Sequence, residues 1–541
     1  GRFAADPRAK VVVSRFIQDW SRRYGPVVAY LLLGELLLWW IVRDATSSRV
    51  VTYSQGADYW EHAAALRALI ESPWSPGNPQ LASNTLSPRY TPVYLALALI
   101  SRAAGWDALD AMALSAAVNV GLFLAGVLWF FALYFRHRLA PLYALCVLSS
   151  SWWLGWHYSN VYQLMILPSV AGYPSTTALG LSWFCFGLTA LNVREGATLG
   201  RSIALGVLCW LTLLVHPLTA VMTMCGVGGI ALFEPGSSRA ARLWTLLSAG
   251  VGVLATHFWL FYSAFGVAGG GSYSGTANWA GRAANQALAG GQAAALHEFY
   301  DWSGLLQAFG LACPGFAFAC WMLWRKQHLF VPLGLAAMLS VFVANAFVEL
   351  PLGHRFVLLA IVFLHIAMVW GCLMLTPGYA DAPGWLARRW ARIAGPALVL
   401  GVLAVGVWHN LKLAAWRVPA ESRGWVSPVL DYARVVAAIA GKGAVIMARS
   451  RDGWPVPAFG AKIVALHHPN PLVPDGAQRE LDANTFFWGP CADATRKALL
   501  VKYGVTHVLL ARGEALATQR FLDARASSLF VPGGYRLYQM R

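Results

Sequence analysis

The segment Gly56-Ala57-Asp58-Tyr59-Trp60-Glu61-His62-Ala63-Ala64-Ala65-Leu66-Arg67 sets the architecture of this chain. It follows a first apolar run, Gly25–Val42. It leads through Pro73-Trp74-Ser75-Pro76-Gly77-Asn78-Pro79 to Ser87-Pro88-Arg89-Tyr90-Thr91-Pro92. Asp44, Asp58, Glu61, His62, Glu71 and Arg89 all fall in this region of a protein otherwise poor in charge. Carboxylates just outside a first span are followed by a helix, a Pro/Asn-rich loop and an aromatic-Pro helix start. That order suggests a membrane-embedded active site on the first outer loop.

The composition agrees. Of 541 residues 58% are hydrophobic and only 12% charged, about half the charged share of a soluble protein; mean hydropathy is +0.52. This is the composition of a polytopic membrane protein. The net charge of +17 does not argue for nucleic acid, because Lys and Arg lie mostly in short loops between apolar runs, where they set orientation. Apart from Cys491 the cysteines fall in expected spans, and no CxxC pair suggests a metal. Val11 to Trp20, with Arg15, Arg22 and Arg23, reads as an interfacial amphipathic helix.

Apolar runs that cross, or nearly cross, a bilayer are Gly25–Val42, Ala111–Phe135, Leu139–Leu154, Pro174–Asn192, Ser202–Val215, Leu218–Phe233, Trp244–Ser263, Gly304–Trp324, Leu329–Phe347, Phe356–Leu375 and Ile393–Leu411, about eleven spans. Tyr90–Ile100 is short and ends at Arg102. Counting it as a span would scatter the basic clusters to both sides, so it is read as an outer juxtamembrane helix. One side then receives Arg22-Arg23, Arg136, Arg138, Arg194, Arg201, Arg239, Arg242, Arg325-Lys326 and Arg388-Arg389. The other receives Asp44, Asp58, Glu61, Asp107, Asp110, Glu298, Asp301 and Glu349. The expected topology is an inner (plasma) membrane protein with a cytoplasmic N-terminus. Residues 1–24 form its N-terminal segment, 25–411 its membrane domain with a first outer loop over 44–110, and 412–426 a linker. Residues 427–541 form a small α/β extracytoplasmic domain. There, short apolar runs at Ala444–Ala448, Lys462–Leu466, Val505–Ala511 and Tyr535–Met540 alternate with helices over Leu430–Ala440 and Ala492–Tyr503. The Gly-rich stretch from Gly269 to Gly291 is the one flexible outer loop and a candidate lid.

This arrangement resembles the GT-C superfamily of membrane glycosyltransferases, which includes protein O-mannosyltransferases, lipid A aminoarabinose transferases and mycobacterial arabinofuranosyl- and mannosyltransferases. The resemblance rests on the acidic first outer loop, the juxtamembrane helices, about a dozen spans and the outer tail. The oligosaccharyltransferase Trp-Trp-Asp-Tyr-Gly signature is absent. The resemblance implies sugar transfer from a polyprenyl-phosphate carrier to a cell-envelope glycan, lipid or protein acceptor on the outer face, with inversion. Arabinofuranose and mannose are both plausible by family. A transporter or flippase of lipid-linked sugars is the rival reading, as is a non-catalytic envelope scaffold. Near-absence of midplane charge counts against transport, and the missing P-loop, HExxH, Gly-x-Ser-x-Gly and GxGxxG patterns leave nucleotide hydrolysis unsupported.

Glycosyl transfer needs a carboxylate to deprotonate or orient the acceptor hydroxyl and cations to hold the leaving phosphate. Asp58 is the first choice for the base; the resemblance gives it the place of the family's first-loop acid. Its bland alternative is the N-cap of a helix over Tyr59–Ile70. Glu61, three residues on, is a second carboxylate, a metal ligand or the far half of a capping box. Asp44, at the end of the first span, ranks second for catalysis, against an ordinary interfacial charge. Arg89 answers loosely to a Lys in a Lys-Pro-Pro context in the aminoarabinose transferases; it holds carrier phosphate or touches lipid headgroups. His354-Arg355, at the outer mouth of the tenth span, is the other phosphate-binding pair, or a headgroup anchor. His62, His157, Tyr162, Tyr173 and His216 are candidates for sugar or acceptor contact, and equally for ordinary interfacial loops. No metal site is assigned. Asp58 and Glu61 admit a divalent cation (Mg, Ca or Mn) without specifying one. Glu35, inside the first span, is expected to face the bundle.

Overall fold

The computed structural model describes residues 24–43, 58–152, 162–164, 166–269, 302–348, 350, 353–376, 379, 391–417, 432–468 and 470–540. Asp44, His157, the Val11–Trp20 segment, most of the Gly269–Gly291 loop and most of the 412–426 linker lie outside the described residues.

Every apolar run expected to cross is helical over most of its described length, and the protein is multi-pass. Tyr24–Arg43, Ala108–Phe135, Pro174–Glu195 and Gly353–Met374 are long and apolar enough to cross a membrane; Pro92–Ala104, Ala140–Ser150, Leu199–Val215, Pro217–Phe233, Phe330–Ala344 and Leu400–Asn410 are shorter apolar stretches. The expected Gly304–Trp324 span is two helices, Trp302–Phe309 and Pro314–Arg325. Gly310–Ala312 tightens into a 3-10 turn between them, and Pro314, which lacks an N–H, sits at the first position of the second helix, where none is needed. Trp244–Ser263 stops being α-helical at Ala255.

Small residues let the core helices approach. A Cβ on Gly126 would lie 2.9 Å from the Gly180 carbonyl oxygen, so Ala108–Phe135 and Pro174–Glu195 touch backbone to backbone there. Phe356–Met374 is buried along its whole length, which explains its unbroken apolar sequence: it has no polar side to present. Tyr24–Arg43 is peripheral. It buries Tyr30, Gly34, Leu37 and Ile41 at helical spacing and is anchored by the Tyr30 hydroxyl, which donates to the Leu124 carbonyl at 2.6 Å. Glu35 falls on the opposite side and is exposed. That corrects the expectation that it faces the bundle; the acid flanks Gly34, the contact position, and must point away from it.

Of the described residues between Ser150 and Pro174 only Leu167–Val170 is helical; the others are mostly buried without regular structure, which apolar surroundings allow only if their polar groups are satisfied. Asn119 does this for the described part: its Nδ2 donates to the carbonyls of Ala171 (2.7 Å) and Tyr173 (3.2 Å), while Ser115 donates to Gly172. Thr177 donates to Asn119 Oδ1 at 2.6 Å. These bonds fix Tyr173 against the first outer loop.

On that side the helix Tyr59–Glu71 packs against Pro92–Ala104, with Arg102 donating to the carbonyls of Ile70 and Glu71 at 3.0 Å. Beyond it sits the C-terminal lobe. Its five-stranded sheet runs β2-β1-β3-β5-β4, where β1 is Val445–Met447, β2 Lys462–Ile463, β3 His507–Leu510, β4 Ala526–Val531 and β5 Tyr535–Met540. β2, β1 and β3 are parallel; β5 and β4 join antiparallel. The expected α/β character is present. β4 escaped the sequence reading because its residues are almost all exposed, so it lacks the apolar run of a buried strand.

Candidate active site

The lobe is stitched onto the first outer loop. The Ile463 amide donates to the Gln80 carbonyl at 2.8 Å, extending the sheet by one bridge between Leu81 and Ile463. Lys462 Nζ donates to the Asn78 carbonyl at 2.6 Å, and Asn78 Oδ1 turns the chain by accepting from the amides of Gln80 and Leu81. Arg67 braces the same turn through the Pro79 carbonyl. Burial and the nearby charge of Arg67 hold the Lys462 ammonium down to about 8. The seam brings the turn after β2, and Trp454, over the first turn of Tyr59–Glu71.

There the chemistry gathers. Asp58 occupies the N-cap position of that helix, but its side chain makes no capping bond. Its Oδ1 instead lies 3.1 Å from His468 Nδ1. Glu61 makes no capping box either. Its Oε1 accepts from the same His468 Nδ1 at 2.9 Å and from Trp454 Nε1 at 3.2 Å, and its Oε2 is ion-paired with Arg89. The two bland readings of these acids are therefore set aside. Glu61 is 1% exposed; the Asp58 side chain keeps 40% of its surface open. Two carboxylates, a guanidinium and an imidazolium balance to zero, which is what lets such groups be buried at all.

The charges set each other. Burial pushes the Asp58 carboxyl up, but the His468 hydrogen bond and the Arg89 charge together outweigh it and hold it well below the usual carboxylate range. Glu61 is lowered likewise: burial opposes, Arg89 and His468 prevail. Burial disfavours His468 as a cation, yet the hydrogen bonds to Asp58 and Glu61 raise it to about 9. His62 goes the other way, to about 4, by burial and the proximity of Arg89. Its ring lies between Tyr94 and Tyr173, with centroids at 5.6 and 5.1 Å. Its buried Nδ1 has no hydrogen-bond partner among the described residues.

His216 ends the helix Leu199–Val215 at the same site, within charge–charge reach of Arg355, His62 and Asp58. His354 and Arg355 form the half-buried turn before Phe356–Met374. So Asp58, Glu61, His62, Arg89 and Tyr173 come together, with His216 in electrostatic reach of Asp58, His62 and Arg355. Tyr162 does not open onto them: it is fully buried and stacks on Phe123 at 3.7 Å. Arg89 has one guanidinium nitrogen committed to Glu61.

Sequence reading missed His468, Trp454 and Lys462. The signal was present in Ala465-Leu466-His467-His468, a His pair closing an apolar run, but nothing local says that this run meets a loop some four hundred residues earlier. With His468 added, Asp58 and Glu61 gain a third ligand, an imidazole nitrogen, and the three donor atoms lie within 4.8 Å of one another. The set suits a divalent cation in kind and number. In this structure the His468 proton joins the same atoms and Arg89 balances the second acid, so a metal would compete with that proton.

No family model and no curated protein matches the chain. Solved structures do. The apo crystal structure of ArnT from Cupriavidus metallidurans superposes with TM-score 0.53 at 14% identity, covering 96% of this chain and 98% of that one. The apo oligosaccharyltransferase of Archaeoglobus fulgidus gives 0.50 at 12% identity, covering 91% and 70%. With its apolar bundle, acidic first loop and C-terminal lobe, the chain has a GT-C-like fold.

Proposed function

We propose that this protein is a membrane glycosyltransferase that moves a sugar from a polyprenyl-phosphate carrier to a cell-envelope acceptor. The observation that carries this reading is the meeting of an open carboxylate, Asp58, with cationic groups at one end of an apolar bundle. The fold supports it, since one neighbour of this fold is an oligosaccharyltransferase. The reading places the chemistry on the outer face, with the C-terminal lobe outside the inner membrane.

In this mechanism Asp58 orients the acceptor hydroxyl and takes its proton as the oxygen attacks the anomeric carbon. The configuration inverts because attack and departure lie on opposite sides. Arg355, with His354 beside it, holds the carrier phosphate as its charge grows. Arg89 acts chiefly by pinning Glu61, and Glu61 with His468 fixes where Asp58 stands. A carboxylate held so far down is a weak base, so its work begins with orientation and proton transfer comes late. A divalent cation, if bound, would be held by Asp58, Glu61 and His468 and would supply positive charge beside the acceptor oxygen. His62 and Tyr173 face the sugar; Asp44 is the reserve acid.

The test is release of polyprenyl phosphate by the purified, reconstituted protein from a panel of polyprenyl-phosphate sugars, with envelope acceptors supplied. Release by wild type that falls sharply in Asp58→Asn is the expected result. No release from any donor would remove the reading, and equal release by Asp58→Asn would remove the base.

A further inference from the structure

His216 does two structural jobs at once. It closes the helix Leu199–Val215 and, in an extended conformation (φ −155°, ψ 97°), is the N-cap of Pro217–Phe233. Pro217 has no N–H to satisfy. The Thr219 amide does, and it donates to His216 Nδ1 at 3.2 Å; the Thr219 hydroxyl lies 2.8 Å from the same nitrogen. A backbone amide can only donate. Nδ1 must therefore present its lone pair, so the ring is neutral and its hydrogen sits on Nε2.

Capping alone does not need histidine. Ser, Thr, Asn or Asp cap with fewer atoms and are the usual choices. What histidine adds is its second nitrogen, an N–H donor whose tautomer is fixed by the cap. The ring is half-buried and lies within charge–charge reach of Arg355, His62 and Asp58. A pre-set neutral donor thus stands within charge–charge reach of both a guanidinium and the open carboxylate.

We infer that His216 is a catalytic residue whose Nε2–H donates to a non-bridging oxygen of the carrier phosphate as the sugar–phosphate bond breaks; this rests on the glycosyl-transfer reading above. The acceptor oxygen forms its bond to the anomeric carbon and its proton passes to Asp58. The anomeric carbon–oxygen bond to phosphate breaks, and its electron pair leaves with the phosphate, which gains one negative charge. His216 keeps its proton throughout. Its hydrogen bond strengthens as that charge develops, which is how a fixed donor lowers a barrier.

Two substitutions separate the cap from the donor. Asn keeps an acceptor where Nδ1 stood and is a good N-cap, but has nothing at the Nε2 position. Gln places an amide N–H near the Nε2 position and loses the cap. His216→Asn is expected to hold the wild-type melting temperature while kcat for polyprenyl phosphate release falls about 10²-fold with KM little changed. His216→Gln is expected to melt earlier yet retain kcat within a few-fold. Wild-type kcat in His216→Asn, or a larger kcat loss in His216→Gln than in His216→Asn, would overturn the inference while leaving the glycosyl-transfer reading intact. Absence of release by wild type from every donor would overturn both.

Discussion

Two buried Glu–Arg pairs sit near opposite ends of this bundle, and their surroundings differ. At the far end Arg194 pairs with Glu234 at 2.6 Å, Tyr134 donates to the other Glu234 oxygen at 3.0 Å, and His328 Nδ1 is 3.2 Å from the Tyr134 hydroxyl. Arg194 also donates to the carbonyls of Leu133 and Tyr134 at a helix end and lies over the Tyr134 ring. This network ties helix termini together and leaves no carboxylate open. At the near end Glu61 and Arg89 look alike on paper. There, however, the neighbouring acid stays 40% open, a histidine arrives from another lobe, and a buried ring nitrogen on His62 awaits a partner. The ends are joined by the helix Pro217–Phe233, which starts at His216 and is capped by Glu234; at 1.5 Å per residue its length is about 25 Å. The lesson is that a buried ion pair by itself says little. What distinguishes a site is unspent bonding capacity beside it.

The comparison breaks most sharply at Asp58. Asp58→Asn is expected to lower the rate of polyprenyl phosphate release by 10² to 10⁴, roughly the span of general acid–base contributions, with the melting temperature held within a few degrees. Arg194→Met should do the opposite. It strands Glu234 in an apolar setting, which costs about 3–5 kcal/mol, while kcat per folded molecule stays at the wild-type value. Thermal unfolding and single-turnover rates on the two variants would show it. Two variants with the same profile would erase the distinction between the ends.

Much of this contrast could be read from the sequence. The apolar runs place the helices, since a residue facing lipid or core must be apolar whichever it is. The acidic first loop stands out because charge is scarce elsewhere. Even Asp58 and Glu61 are visible as a pair three residues apart on one helix. What local sequence cannot show is the partner these acids take in place of a capping bond. His468 lies on a strand-end turn whose meaning depends on β2 pairing with Leu81, a contact of very long range. Tyr162 is the reverse case: an aromatic in a polar-looking loop, taken into the core because Phe123 stacks on it. Aromatic residues serve cores and sugars equally well, so residue type alone could not separate the two.

A smaller effect sharpens the near end by pH. His468 is raised from 6.5 to about 9 in the folded protein. Its contribution to lobe docking is therefore fully present below about 6.5 and is lost as pH rises through about 9. Asp58 and Glu61 are lowered, so their contribution is present above their ordinary values and fades as pH falls below them. Docking is expected to be strongest between these limits, from about 5 to 6.5. His468→Gln should flatten the alkaline limb and leave the acid limb in place. Proteolytic susceptibility of the lobe across pH would read it. An alkaline limb that survives in His468→Gln would mean another group controls docking.

The smallest expected change is at Lys462. Its ammonium donates to the Asn78 carbonyl, but burial already holds that ammonium down to about 8, so losing the charge recovers desolvation as it loses the bond. The net cost of Lys462→Met is therefore about 1 kcal/mol or less, hard to see in global unfolding. The seam itself is more sensitive. The Ile463 amide is bonded to Gln80 across the two lobes, so its hydrogen exchange reports docking directly rather than lobe folding. Lys462→Met should speed exchange at Ile463 several-fold while leaving Val508 and Leu509 in β3, inside the sheet, at wild-type rates. Equal acceleration at all three would place the lysine in the lobe's own stability and not in the seam. Unchanged exchange at Ile463 would leave the Gln80 bridge, with Trp454 and His468 behind it, as sufficient to hold the lobe over the acids.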